Sequence, residues 1–150
     1  DSYKLAAIKH GDTFVPKIKL SENVGKITNP GVKQLYRVYS EKGASIADLI
    51  TNAGETPKDG EDFDYIAPEK PWQVRTFSNC TFRPLLQPLF RDGKLVAQLP
   101  KLVEIRQYVQ QQLQNEIWTE EQRFENPHQH YLDMSVAYYQ MKLNLMQSHK

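Results

Sequence analysis

The sequence predicts an α+β fold: strand-rich in antiparallel hairpins through its first two-thirds, then two C-terminal helices. Three observations carry that prediction. Apolar and polar residues alternate in residues 34–39 (QLYRVY) and 72–77 (WQVRTF), the period of a half-buried strand. Gly43 in SEKGAS and Asp92-Gly93 in RDGK stand between such runs, where hairpin turns belong. From Leu102 onward the apolar period changes to three and four.

Residues 3–8 (YKLAAI) are short and largely apolar, fit for a buried strand. Their one charge, Lys4, is costly to bury unpaired, so it must reach solvent, a carboxylate or an anionic ligand. His10-Gly11-Asp12 is a turn, and residues 13–20 follow as a second strand. Over residues 15–20 the alternation puts Lys17 and Lys19 on one face, about 7 Å apart, with Ile18 and Leu20 entering the core. After a polar turn and another at Asn29-Pro30-Gly31, residues 34–39 pair through Gly43 with residues 45–50. Arg37 then faces away from Tyr36 and Val38. Residues 51–71 hold two glycines, three prolines and six of the eighteen acidic residues, and are expected as one acidic surface loop.

Residues 72–77 form the next strand, and residues 85–90 and 95–99 flank the Asp-Gly turn. Pro84 and Pro88 place the first of these arms at a sheet edge. Leu102, Ile105, Val109, Leu113 and Ile117 share one face of an amphipathic helix running to about Phe124, and Asn126-Pro127 stops it. Asp133 or Ser135 caps a second helix, with Leu132, Val136, Tyr139, Leu143 and Met146 on its stripe. Two such helices are expected to pack antiparallel or to fold across a sheet edge. The chain thus divides into strands over 1–50, an acidic loop over 51–71, and a hairpin with two helices over 72–150.

A chain of 150 residues suits one domain with a real core. Its net charge of +1 predicts no general affinity for nucleic acid or anionic membrane. The charge is uneven: residues 1–40 hold seven Lys/Arg against three Asp/Glu, a net of +4, so the other 110 residues carry −3. An anion site therefore belongs near the N-terminus. Cys80 is the single cysteine, which excludes an intrachain disulfide and a Cys-based zinc site and fits a reducing, cytoplasmic setting. No apolar run reaches the length of a bilayer span, and no signal-peptide core is present. Because it starts at Asp1 and passes almost at once into a strand-like run, the chain is expected to be a piece of something longer.

No glycine-rich phosphate loop occurs. His128 and His130 in PHQHY have only Glu125 and Asp133 as nearby acids, short of the three or four converging ligands a metal needs. Neither a nucleophile elbow nor a Cys-His pairing can be placed. What remains is the cation set Lys4, Lys17, Lys19, Lys26 and Lys33. Cations on a strand and its turns suit a multiply charged anion such as phosphate or pyrophosphate. The plainer reading is a solvated lysine face that keeps an edge strand from pairing. Two further readings stay open. One is a small β-domain using this basic strand on RNA, helped by Tyr36 and Tyr39 but opposed by the acidic loop. The other is an oligomerisation domain built on the two C-terminal helices.

The strings YKLAAI, PKIKLSENVGKITNPGVKQLYRVY and ASIADLI, then FRPLLQPLFRDGKLVAQLP, EIRQYV and RFENPHQHYLDMS, carry a family likeness. In order, and over nearly the whole chain, they resemble the later part of bacterial nicotinate phosphoribosyltransferases. The resemblance implies the C-terminal portion of an enzyme that makes nicotinate mononucleotide from nicotinate and phosphoribosyl pyrophosphate, coupled to ATP hydrolysis, in NAD biosynthesis. It implies a type II phosphoribosyltransferase architecture, an irregular α/β barrel beside a mostly β domain, assembled as a homodimer. The parent would use phosphoribosyl pyrophosphate, ATP and Mg2+, with no cofactor held by this portion. The remainder of the parent would be its partner, with no membrane or nucleic acid involved and no activity for the 150 residues alone. By the same likeness, Ser2, Lys4 (after Tyr3) and Lys19 match phosphate-facing positions. The family's phosphohistidine lies upstream, and none of His10, His128, His130 or His149 matches it. No catalytic residue and no metal ligand carries over.

Overall fold

The computed structural model describes residues 3–148. It opens on a hairpin of β1 (Ala7–His10) and β2 (Thr13–Pro16), with Ile8 opposite Val15. Gly11 turns the chain at φ +59°, a left-handed backbone that glycine adopts without strain. A single 3-10 turn (Val24–Lys26) leads to β3 (Lys33–Tyr39) and β4 (Ser45–Asn52), then β5 (Phe63–Ile66), β6 (Val74–Phe77) and β7 (Thr81–Pro84). A minimal hairpin, β8 (Phe90–Arg91) and β9 (Lys94–Leu95), precedes helix α1 (Leu102–Asn115); strand β10 (Leu132–Ser135) runs directly into helix α2 (Val136–Gln147).

Six strands form one sheet in the order β6-β5-β10-β4-β3-β7. Every pairing is antiparallel except β10 with β4, which is parallel. That order has a geometric consequence. Strands β6 and β7 are the two edges of the sheet, yet only residues 78–80 separate them in sequence. A flat six-stranded sheet would hold its edges about 24 Å apart. Three linking residues reach at most about 14 Å. The sheet must therefore roll up, and aromatic rings from the two edges meet: Phe77 and Phe82 lie with centroids 6.2 Å apart.

The rolled interior holds Tyr36, Val38, Ala47, Leu49, Phe77, Cys80 and Phe82, with Phe63 and Tyr65 against them. Adjacent residues on the same strands point outward: Leu35 and Ile50 join Met134 in a second cluster, which α2 covers with Tyr138, Tyr139 and Met141. Two opposite faces of one sheet are thus both covered along β4, and none of its residues is exposed. Among the described residues no helix is long and apolar enough to cross a membrane.

The α+β class, the strand-rich first part and the two C-terminal helices stand as expected. Several elements differ. The first strand lies at residues 7–10 and not 3–8. The second stops at Pro16, which has no N–H to continue a ladder, so the alternation expected over residues 15–20 does not apply and Leu20 is 40% exposed. Residues 51–71 are not one loop, because β5 within them is an inner strand of the sheet. The Asp92-Gly93 turn has the two left-handed residues a tight hairpin needs (φ 49° and 74°), but its arms are two residues each.

Helix α1 begins where the Glu104 carboxylate accepts the Lys101 N–H at 2.6 Å. It ends at Asn115 and not near Phe124, because the Gln122 side chain folds back and donates to the carbonyls of Leu113 (2.7 Å) and Ile117 (2.9 Å). Its apolar stripe stays uncovered, with Ile105 44% exposed and Leu102, Val109 and Leu113 exposed beside it. The two helices do not pack as a pair among the described residues; α2 lies on β4, β5 and β10. Ser135 caps α2 by accepting the Tyr138 N–H. Starting the helix at Val136 rotates the expected stripe: Leu132 and Val136 are exposed, and Tyr138 is the fully buried residue.

Candidate anion site

Lys4, Lys17, Lys19 and Lys26 line one cavity of about 710 Å³. Main-chain hydrogen bonds gather them. The Ala6 carbonyl accepts from both Lys17 N (2.8 Å) and Gly31 N (2.7 Å), and the Lys19 carbonyl accepts from Thr28 N (3.2 Å). Three stretches of chain distant in sequence are thereby held side by side. The Lys4 ammonium rests on the Lys26 carbonyl at 3.0 Å. None of the four pairs with a carboxylate among the described residues. Repelling cations held around one hollow without counter-charge attract an anion.

Thr28, which sequence reasoning did not single out, lines the same cavity. It is 3% exposed, and its Oγ1 has no hydrogen-bond partner among the described residues. A buried hydroxyl left unpaired costs about 1–3 kcal/mol, a debt an oxyanion in the cavity would relieve. The one signal in sequence was a hydroxyl two residues after Lys26, in GKIT.

Lys33 stands apart from the other cations. Its ammonium donates to the Gly31 carbonyl at 3.2 Å, and burial lowers its pKa. Ser2 lies outside the described residues. Arg37, on the face opposite Tyr36 and Val38, forms an ion pair with Asp48 (2.9 Å) and donates to Gln112 (3.1 Å). Glu116 receives Arg83 at 2.8 Å and the Tyr39 hydroxyl at 2.7 Å, and the Arg83 hydrogen bond holds its carboxyl below the usual range. These contacts fasten the end of α1 to the sheet and leave no cation free. His130 is held between Glu121 (3.2 Å) and Asp48 (3.4 Å), and His128 packs edge-on to Tyr131. Cys80 is buried in the rolled sheet, where desolvation pushes its thiol up and away from reactivity.

A second cavity, of about 720 Å³, is lined by Tyr65, Arg75 and Asp133 among others. Burial pushes the Asp133 carboxyl up to about 6, with Arg75 opposing and Glu69 adding to the shift. The native state therefore binds this proton more tightly than the unfolded chain, and stability falls as pH rises from about 4 to about 6, by up to about 2–3 kcal/mol. Asp133→Asn should remove that slope and stabilise the fold at pH 7 by about 1–2 kcal/mol. Denaturant unfolding of both proteins at pH 4.5 and pH 7 measures it; equal slopes would refute the assignment.

Residues 32–142 match the family described as nicotinate phosphoribosyltransferase C-terminal domain. The chain belongs to that family. Nicotinate phosphoribosyltransferase of Bacillus subtilis is 31% identical over 134 residues, covering 89% of this chain and 27% of the relative. The Caenorhabditis elegans enzyme is 30% identical over 139 residues, covering 92% and 24%. The chain thus spans about a quarter of the length of the curated relatives it matches. The crystal structure of human nicotinic acid phosphoribosyltransferase shares the fold, with a TM-score of 0.72 at 24% identity over 78% of this chain and 23% of that one. The nicotinate phosphoribosyltransferase resemblance read from the motifs is thereby shown. The family match starts after Lys4, Lys17, Lys19 and Lys26 and ends within α2, so it covers the six-stranded sheet, α1 and the first part of α2 but not the lysine cavity.

Proposed function

We propose that this chain serves as the C-terminal domain of a nicotinate phosphoribosyltransferase and that Lys4 and Lys19 face the phosphates of phosphoribosyl pyrophosphate. Ser2 would join them by resemblance. One observation carries the reading: four ammonium groups without carboxylate partners surround a cavity that also holds the unpaired hydroxyl of Thr28. The pyrophosphate leaving group gains negative charge as the glycosidic bond breaks, and ammonium groups fixed beside it stabilise that charge. ATP and Mg2+ would be used by the whole enzyme, a homodimer in the cytoplasm. The remainder of that enzyme is the proposed partner, and the uncovered stripe of α1 supports a surface that docks on it.

Pyrophosphate titrated into the chain at low salt, followed by NMR of the lysine side chains, tests the anion site. Exposed ammonium groups contribute only about 1 kcal/mol each at contact distance, so millimolar affinity is expected. The double variant Lys4→Ala/Lys19→Ala should weaken it about tenfold, and added salt should weaken it further. Equal affinity in the double variant, or shifts spread evenly over Lys58, Lys70 and Lys101, would count against the site.

A further inference from the structure

The cavity that contains Asp133 shares no lining residue with the lysine cavity. Strand β10 explains how a carboxylate comes to be there. Its register sets Leu132 beside Asp48 and Met134 beside Ile50, on the side that α2 covers, and sets Asp133 beside Leu49, facing the rolled interior. Strand β4 places the apolar Ala47 and Leu49 nearest to it on that side. Asp133 is 5% exposed, and its carboxylate accepts no hydrogen bond and enters no ion pair with any described residue. An inward position among aromatic rings would be filled more stably by an aliphatic residue. No donor of the described residues lies within hydrogen-bond distance of this carboxylate, although Arg75 and Lys70 line the same cavity and Arg75 acts on it through space, so the carboxylate is left open to a ligand's donor.

The rest of the cavity limits what that donor is. Tyr65 lies on one wall, its ring stacked on Phe77 at 3.8 Å and 11°, so the wall is flat and apolar. A second acceptor, Glu69, is held in place by Gln129 at 3.1 Å. We propose that this cavity binds a small planar nitrogen base, with its N–H edge on the Asp133 carboxylate and its ring along the Tyr65 wall.

The probe is benzamidine, a flat ring bearing a cationic N–H fork that fits a carboxylate. Titrated into the chain and followed by amide and carboxyl NMR shifts, it should bind in the millimolar range and perturb Asp133, Tyr65 and Ala47. Asp133→Asn should weaken binding tenfold or more. Ala67→Phe, which narrows the cavity and keeps the carboxylate, should weaken it as well, and it decides the matter should the first variant not fold. The groups facing Asp133 are Tyr65, Glu69, Lys70, Arg75, Cys80 and Tyr131. Because Asp133 itself titrates at about 6, binding at pH 5 should be about tenfold weaker than at pH 7.5. Lys4→Ala/Lys19→Ala should leave benzamidine affinity unchanged, which separates this site from the anion site. Absence of shifts at the cavity residues up to about 20 mM benzamidine, or equal affinity in Asp133→Asn, would overturn the proposal.

Discussion

Leu49→Ala is expected to cost the fold about 3–5 kcal/mol, a large part of the total stability of a domain this size. Leu49 is fully buried at the centre of β4, opposite Tyr36 on β3 and beside Asp133 on β10. Both neighbouring strands are hydrogen-bonded to β4, and Leu49, which does not line the Asp133 cavity, packs in a cluster whose aromatic rings contact one another. Walls of that kind cannot collapse into the space a lost isobutyl group leaves, so the cavity penalty adds almost in full to the transfer term. The matching truncation on α1, Ile105→Ala, removes a side chain already 44% exposed and should cost no more than about 1 kcal/mol. Urea unfolding of the two variants against the parent chain measures both. Similar losses at the two positions would mean that the rolled sheet is not the core of this chain.

How much of this was legible in the sequence depended on whether a signal was local. The hairpin of β3 and β4 could be read directly: the first arm alternates, an apolar-containing run follows, and Gly43 sits between them where the backbone turns at φ +76°. Strands β5 and β10 could not. In β5 (FDYI) the aromatic residues recur at period two, but acidic residues on every side give the stretch the composition of a loop. Strand β10 (LDMS) is extended because it pairs in parallel with β4, more than 80 residues earlier, and no pattern within four residues can announce that. The stripe of α1 was legible, but a period says which face is apolar and not whether anything covers it.

The site divides in the same way. Charge counting placed the cations near the N-terminus, and four of the five do share one cavity. The expected cause, alternation along a strand, was wrong. Lys17 and Lys19 follow β2 in irregular backbone, and hydrogen bonds to the carbonyls of Ala6 and Lys19 bring the segments together. Lys33 belonged to the same charge pattern, but its ammonium is occupied by the Gly31 carbonyl. Asp133 read as a candidate helix cap because its inward aim follows only from the register with Leu49. Ser135 took the capping role, and its hydroxyl also donates to Glu55 at 2.7 Å.

Tyr138 should prove the most sensitive link between the sheet and the lysine cavity. It is fully buried on α2, and its hydroxyl donates at 2.7 Å to the carbonyl of Pro30, itself fully buried. Pro30 precedes Gly31, whose N–H holds the Ala6 carbonyl and whose φ of +80° only glycine adopts easily. A Cβ at Gly31 would also come within 3.2 Å of Met141 Cε on the same helix. One hydroxyl thus anchors the turn from which the cavity's first segment hangs. Tyr138→Phe keeps the ring and strands the carbonyl, at a cost of about 1–3 kcal/mol. Tyr138→Ala adds the loss of the ring and should cost about 3–5 kcal/mol, enough to leave a marginal domain partly unfolded. Hydrogen exchange distinguishes a local effect from a global one. In Tyr138→Phe the amides of Lys17 and Gly31 should lose protection before those of β4 do, and pyrophosphate affinity should fall although Tyr138 does not line the cavity. If Tyr138→Phe matches the parent chain to within about 0.3 kcal/mol, with unchanged exchange at Gly31, the turn is held by something other than this hydrogen bond.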